Sequence, residues 1–474
     1  MDTRASQADL AAFGERLRGP LRYRLDGAAP VVAARAPGRL DAVGGVIDYT
    51  GGTVCEMPLG EATRVALQPR RDRKLVLHSV GIDDHGLAPE VVVDLDRLVP
   101  SEGPREYAAV RAELNLDPAQ AWAGYVVGAW LVLAREGLVA SYEHGANVIV
   151  ESDVPVGAGV SSSAALEMAT LYALTAWLGL TVPGKRLARL GQMVENSVVG
   201  APCGLMDQLT VGLGRQDALL VIRCQPDEIL ASQKLPAGVC LGAIHTGVKH
   251  AVSGRRYTDA RVAAFMAHAV ILHHLRTIRE IEPGDDPFGG YLARIPLKAF
   301  ERAYEPLLPE TVMGSSFQRT YGGTVDRATR IDPDAVYRVA PAARHHVRDN
   351  HRTQDFLAAL REHGTAKGGN SLRRAGECML ASHAGYRDDL GLGAPEADLL
   401  VELMMARGPE HGLYGARITG GGCGGSVIAL GDSRLPALLP ALAAEYAERS
   451  GERPAVLLGS SDGAEATGAL ELAL

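Results

Sequence analysis

Glu151 to Met168, ESDVPVGAGVSSSAALEM, turns abruptly from a glycine-hinged loop into a serine-led helix. Ala146–Val150 (ANVIV) before it has the β-branched character of a strand, and Leu166, Ala169, Leu171, Leu174 and Leu178 after it mark one apolar helical face. The loop therefore opens a helix. Gly157 and Gly159 remove side chains where phosphates need close backbone approach, and Ser161, Ser162 and Ser163 occupy the first turn, whose N–H groups lack intrahelical partners. Those groups and the positive end of the helix dipole favour an anion. An ordinary strand, turn and capped helix would leave much of the same pattern. There is no G-x-x-x-x-G-K-[ST] arrangement, which disfavours a Walker-type site.

Two more glycine clusters flank this one in sequence. Tyr414–Leu430 reads YGARITGGGCGGSVIAL, and five of the six residues Gly420–Gly425 are glycine between strand-like runs. That density suits a hairpin whose backbone turns through positive φ or passes close to another surface. Ala36–Leu59, APGRLDAVGGVIDYTGGTVCEMPL, sets Arg39 and Asp48 among glycines after a strand-like run from Pro30. Taken singly, the first of these is also a plain β-turn and the second a surface turn with solvated charges.

In combination, order and separation the three clusters resemble the motifs of the GHMP small-molecule kinases. Val194–Gln208 (VENSVVGAPCGLMDQ) and Ser382–Asp398 (SHAGYRDDLGLGAPEAD) resemble segments of the galactokinase branch, and His245–Arg261 (HTGVKHAVSGRRYTDAR) resembles its sugar-facing strand and helix. The resemblance implies an α+β, two-lobed fold with the active site in the cleft between the lobes. It also implies ATP as phosphoryl donor, Mg²⁺ as its cation and a small neutral monosaccharide as acceptor.

One departure bears on the sugar. Galactokinases carry G-E-H-T-D-Y where this chain has Gly44-Gly45-Val46-Ile47-Asp48-Tyr49, so two polar residues have become Gly45 and Val46. A hydroxymethyl group set against an apolar wall is desolvated without a partner, at a cost of about 1–3 kcal/mol. L-Arabinose has the stereochemistry of galactose without that group. The runs RLDAVGGVIDYTG and VENSVVGAPCGLMDQ, Ile222–Pro226 (IRCQP) and Tyr337–His345 (YRVAPAARH) also resemble the kinase part of plant L-arabinokinases, with departures around Gly385–Gly393. The expectation is an arabinose 1-kinase without the N-terminal glycosyltransferase-like domain of the plant proteins. Galactokinase, glucuronate kinase and a non-catalytic sugar sensor are the alternatives, in that order. Replacing the pair by Gly45→Glu with Val46→His is expected to shift preference toward galactose.

Transferred residue by residue, the resemblance makes Asp207 the acceptor of the proton from the anomeric hydroxyl, with Arg39 the cation that stabilises charge developing between sugar and phosphate. Pro155, Gly157, Ala158, Gly159, Ser161, Ser162, Ser163 and Ala164 hold the nucleotide phosphates, and Ser162 and Glu195 face Mg²⁺, a hard cation that prefers oxygen ligands. Asp48, Gly45, Val46, Gly204 and Tyr257 form the sugar site. The histidines, His245, His250, His345 and His346 among them, show no metal-ligand spacing.

Over 474 residues the formal charge is −8 with no basic run, which argues against nucleic acid or an anionic membrane as partner. Six scattered cysteines without C-x-x-C pairs suit a reducing compartment, and Met1–Gly19 lacks an apolar segment of secretory length. Cytoplasmic residence is expected. Residues 1–29 read as a helical arm, 30–215 as the N-terminal domain and 216–474 as the C-terminal domain. Within the latter, 282–341 is a Pro- and Gly-rich insertion, either a lid or edge packing.

Overall fold

The computed structural model describes residues 4–26, 29–248, 254–282, 284–365 and 368–473. His250 and the stretch 249–253 ahead of Tyr257 lie outside the described residues. The arm is helix α1 (Arg4–Arg18), followed by strands β1 (Val31–Val43), β2 (Thr53–Pro69), β3 (Lys74–Val80) and β4 (Glu90–Asp94). Helices α2 (Tyr107–Leu114) and α3 (Ala123–Arg135) precede β5 (Ala146–Ser152), α4 (Ser162–Trp177), α5 (Gly184–Met193), a π-helical turn Val194–Val199 and α6 (Met206–Leu213). Next come β6 (Ala218–Cys224), β7 (Asp227–Lys234), β8 (Val239–His245) and the long α7 (Arg255–Thr277). The remainder contains α8 (Leu297–Ala299), β9 (Val312–Met313), α9 (Gly314–Tyr321), β10 (Val336–Tyr337), α10 (Val339–Glu362), α11 (Ser371–Ala384) and α12 (Pro395–Arg407). It ends with β11 (Leu413–Ile418), β12 (Ser426–Asp432), α13 (Leu435–Ser450), β13 (Ala455–Leu458), α14 (Ala464–Thr467) and β14 (Ala469–Leu472).

The fold is α+β, and the described residues form an eight-stranded sheet, a four-stranded sheet and the two-stranded pair β9–β10. The larger runs β14-β1-β2-β5-β3-β4, and β6 and β7 extend it from the remaining length of β2. β2 is long enough to pair β6 through Thr53–Glu56 and β5 through Thr63–Pro69 on one edge. Strand alternation separates the faces. Ala34, Ala36, Val65, Leu67, Val148 and Val150 meet the helical layer of α3 and α4, whereas Ala33, Ala66 and Ile149 meet Phe13 and Leu17 of α1. Further along, Leu40, Met57 and Val221 pack on Leu241, Ile428, Phe356 and Met379, joining the large sheet to the smaller sheet β11-β12-β8-β13 and its helices.

One expectation changes. β1 continues through Arg39 to Val43 with a register shift between Pro37 and Arg39, so Arg39 lies within a strand and does not follow one. β6 and β7 begin after residue 216 yet belong to the large sheet because β2 offers them a free edge, and β14 returns to it beside β1. Residues 218–234 and 469–472 of the segment expected as the C-terminal domain are thus strands of the larger sheet. The insertion 282–341 buries Leu292, Ile295, Phe300, Phe317 and Tyr337 in one cluster with α7 residues, and α10 already starts within it at Val339. Among the described residues no helix is long and apolar enough to cross a membrane. The cysteines are all free.

Candidate active site

The loop from β5 to α4 is coiled by positive φ at Gly157 (72°), Gly159 (74°) and Ser161 (61°). Such runs make a nest of backbone N–H groups. Ser161, the residue before α4, gives no side-chain cap, and its buried hydroxyl has no hydrogen-bond partner. The first-turn donors of a helix of 16 residues are thus left without a side-chain acceptor. The glycine hairpin between β11 and β12 lies against this loop. A Cβ on Gly425 would stand 2.7 Å from the Ala158 carbonyl oxygen, and the Ser426 hydroxyl donates to that same oxygen at 2.8 Å. The glycine density therefore serves a close approach of two backbones.

Arg39 reaches from β1 under the loop, donating from Nε to Asp207 Oδ1 at 2.8 Å and from Nη1 to the Gly159 carbonyl at 2.7 Å. Glu56 lies 3.2 Å from the same Nε. Burial works against the Arg39 charge, but Asp207, Glu56 and Asp41 outweigh it and hold the guanidinium above its ordinary value. Burial, with Asp41 beside it, pushes the Glu56 carboxyl well up.

Asp207 stands in the first turn of α6, and Gly204 just before it packs against Asp48, leaving no room for a Cβ between them. Burial and then the Asp207 charge push the Asp48 carboxyl up to about 7, against Arg261, the Tyr49 N–H and Arg39. Tyr257 on α7 meets Tyr49 edge-on at 6.1 Å between centroids. Arg39, Val46, Asp48, Gly157, Gly159, Ser161, Ser162, Ser163, Glu195, Gly204, Asp207 and Tyr257 all line one cavity, together with Gly421 of the hairpin.

Glu195 projects from the π-helical turn and is fully buried, pushed up to about 7 by burial and by Asp207 against hydrogen bonds from Cys203, Ser163 and Gln208. Gln208 Nε2 donates to Glu195 at 2.8 Å and to Glu167 at 3.0 Å. Glu195, Ser162 and Ser163 line the cavity together and offer oxygen donors of the kind Mg²⁺ takes, whereas Glu167 is buried behind them.

Four expected contacts fall elsewhere. Gly45 does not line the cavity: the direction its side chain would take runs into Tyr386 and Asp41. Pro155 is absent from the cavity wall, Ala158 is buried behind it and Ala164 packs in the helical core. The side chains of these positions do not line the cavity. Sequence reasoning missed a second cavity of about 440 Å³ that shares Gly157, Ser162, Ser163 and Glu195 with the first and extends between Ile82, His85, Trp122 and Tyr125. Those four come from a turn and a helix start that carry no motif, and only the Trp122–Tyr125 aromatic pair hinted at them.

Comparison with known proteins agrees with this geometry. Residues 124–215 match the family model of the GHMP kinases N terminal domain, and residues 24–69 match the galactokinase galactose-binding signature. The chain is 34% identical over 494 residues to an L-arabinokinase of Arabidopsis thaliana, covering 93% of this chain but only 47% of the relative, about half its length. It is 32% identical over 433 residues to a galactokinase of Chloroflexus aggregans, covering 90% of this chain and 91% of the relative. The structure of Lactococcus lactis galactokinase complexed with galactose superposes with a TM-score of 0.72 at 22% identity, over 98% of this chain and 100% of the other. The mevalonate kinase of Methanococcus jannaschii does so with a TM-score of 0.52 at 13% identity, over 90% and 98%. Fold and site together define a small-molecule kinase. The chain belongs to the GHMP kinases, in the galactokinase branch, a group of sugar kinases.

Proposed function

We propose that the protein is an ATP-dependent monosaccharide 1-kinase whose preferred acceptor is L-arabinose, giving L-arabinose 1-phosphate and ADP. The observation that carries the sugar assignment is the cavity wall at Val46, where an apolar side chain and no polar one faces the acceptor space next to Asp48 and Asp207. The apolar and aromatic cavity beyond Ser162 suits the nucleotide base. The phosphates then lie on the N–H groups of Gly157–Ser163. Glu195, with Ser162 or Ser163, would hold Mg²⁺, which when bound would supply charge neutralisation for the transferring phosphoryl group.

Asp207 accepts the proton of the anomeric hydroxyl as its oxygen bonds the γ-phosphorus and the bond to the β-phosphate oxygen breaks, releasing ADP. Little covalent work falls to the protein in such a transfer, so positioning dominates. Arg39 fixes Asp207 against the phosphate loop and stabilises charge between sugar and phosphate. Asp48 accepts from ring hydroxyls, with the Gly204 backbone and Tyr257 completing the sugar contacts.

Galactose is the second reading, favoured by the match of residues 24–69 to the galactose-binding signature. Glucuronate ranks lower because Arg39 is the sole cation among the described residues lining the cavity, and it is already engaged by Asp207. Phosphorus NMR of the product formed from L-arabinose and Mg-ATP tests the reaction. A phosphomonoester coupled to the anomeric proton supports a 1-kinase; a phosphate on any other carbon, or none, removes it.

A further inference from the structure

Gly45 is occupied from outside its own chain segment. Tyr386 lies fully buried in the π-helical stretch Gly385–Asp389 that continues α11. Its hydroxyl accepts the Val46 N–H at 3.0 Å and donates to the Gly420 carbonyl at 2.8 Å. Any Cβ at residue 45 would fall on that hydroxyl and on the Asp41 carboxylate. Asp41 in turn accepts the Gly45 N–H at 3.1 Å and the Arg417 Nη1 at 2.7 Å, and the Arg417 guanidinium sits 5.0 Å from the centre of the Tyr386 ring.

The hydroxyl therefore ties together two cavity walls, the turn bearing Val46 and the glycine hairpin bearing Gly421. Its single proton and one lone pair are both used. While it stands there, residue 45 carries no side chain, and the wall is left to the methyl groups of Val46. We infer that Tyr386 is a specificity-determining residue, its hydroxyl filling the space of a side chain at position 45 and fixing an acceptor pocket that offers no polar partner to an exocyclic hydroxymethyl group. This deepens the proposed preference for a pentose and rests on it for the identity of the sugar, though not for the pairing of Gly45 with Tyr386.

The pairing also alters the expectation for Gly45→Glu with Val46→His. With Tyr386 and Asp41 in place the new side chain at 45 collides with both, so the exchange needs a smaller residue at 386 together with a shift of the Asp41 carboxylate.

The test compares kcat/KM for L-arabinose and D-galactose, and KM for ATP, in the wild type, G45A, Y386L, G45A/Y386L and Y386F. G45A is expected to lose about tenfold or more, and Y386L to restore part of that loss in the double variant although it is impaired alone, since clashing neighbours are non-additive. Y386F keeps the ring and the packing but leaves the Val46 N–H without its acceptor; it should raise the sugar KM by about fivefold or more, with the ATP KM within about twofold. Y386L should move the arabinose-to-galactose ratio toward galactose. A double variant no better than G45A, with an unchanged sugar KM in Y386F, overturns the inference. A wild-type preference for galactose sinks the pentose assignment alone, and the G45A rescue read with galactose then decides the role of Tyr386.

Discussion

Arg39 bonds Asp207 at 2.8 Å through Nε while its Nη1 holds the Gly159 carbonyl at 2.7 Å, so a single side chain couples the proposed base on α6 to the glycine-rich loop before α4.

Asp207→Asn keeps the size of the side chain and removes its capacity to take a proton. Turnover is expected to fall about 10²- to 10⁴-fold, with the affinity for a fluorescent ATP analogue within about threefold of wild type by the geometry above. Wild-type turnover would take Asp207 out of the reaction.

Glu195→Ala removes a carboxylate that shares Gln208 with Glu167. The half-saturating Mg²⁺ concentration should rise about tenfold or more, the magnitude expected on deleting one ligand or its support. A superimposable Mg²⁺ titration of the variant would contradict the assignment.

Sugar binding should depend on pH through Asp48. Burial and the Asp207 charge raise this carboxyl from 3.8 to about 7, with Arg261, the Tyr49 N–H and Arg39 opposing. Because the shift is upward, the folded protein holds Asp48 protonated below pH 7, and acceptance from sugar hydroxyls is complete only above it. The sugar KM should therefore climb as pH drops from about 8 to 6, approaching tenfold per unit, and Asp48→Asn should flatten that climb. Stability has the opposite sign: the contribution of this group is present below about pH 4 and is lost as pH rises through 7. A KM that is flat in the wild type would refute the ionised acceptor.

The insertion can be tested through stability. Arg261 on α7 is held by both carboxylate oxygens of Asp326 at 2.9 and 3.0 Å, its guanidinium stacked 4.9 Å from the Tyr49 ring, and the pair is 8% and 4% exposed. Asp326→Ala strands a buried cation behind the sugar loop, at a cost of about 3–5 kcal/mol in denaturant unfolding. Arg261→Leu with Asp326→Leu should cost much less. Equal losses for single and double variants would mean that the ion pair is incidental to the packing.

How much of this could be read from the sequence depended on the range of the interactions. The phosphate loop was legible because its chemistry is local: Gly157, Gly159 and Ser161–Ser163 are neighbours, and the strand and helix on either side carry clear periodicity. Arg39, Asp48, Glu195, Gly204, Asp207 and Tyr257 became legible only through resemblance to a family, and the fold gathers them around one cavity. Tyr386 on Val46, Arg417 on Asp41 and Arg261 on Asp326 join residues 340, 376 and 65 positions apart, and no local pattern announces such pairs. The sheet that β6 and β7 join was not legible for a related reason. β6 pairs the free edge of β2 and brings β7 with it, a pairing between residues far apart in the sequence.

The account stands most directly on coupled ADP release with Mg-ATP against L-arabinose, D-galactose and D-glucuronate, compared as kcat/KM because specificity is a difference in transition-state binding. An advantage for L-arabinose of about tenfold or more, on the order of 1.4 kcal/mol, is the predicted result. A lead for D-galactose would mean that the hydroxymethyl group finds polar partners away from Val46, contradicting the pentose pocket.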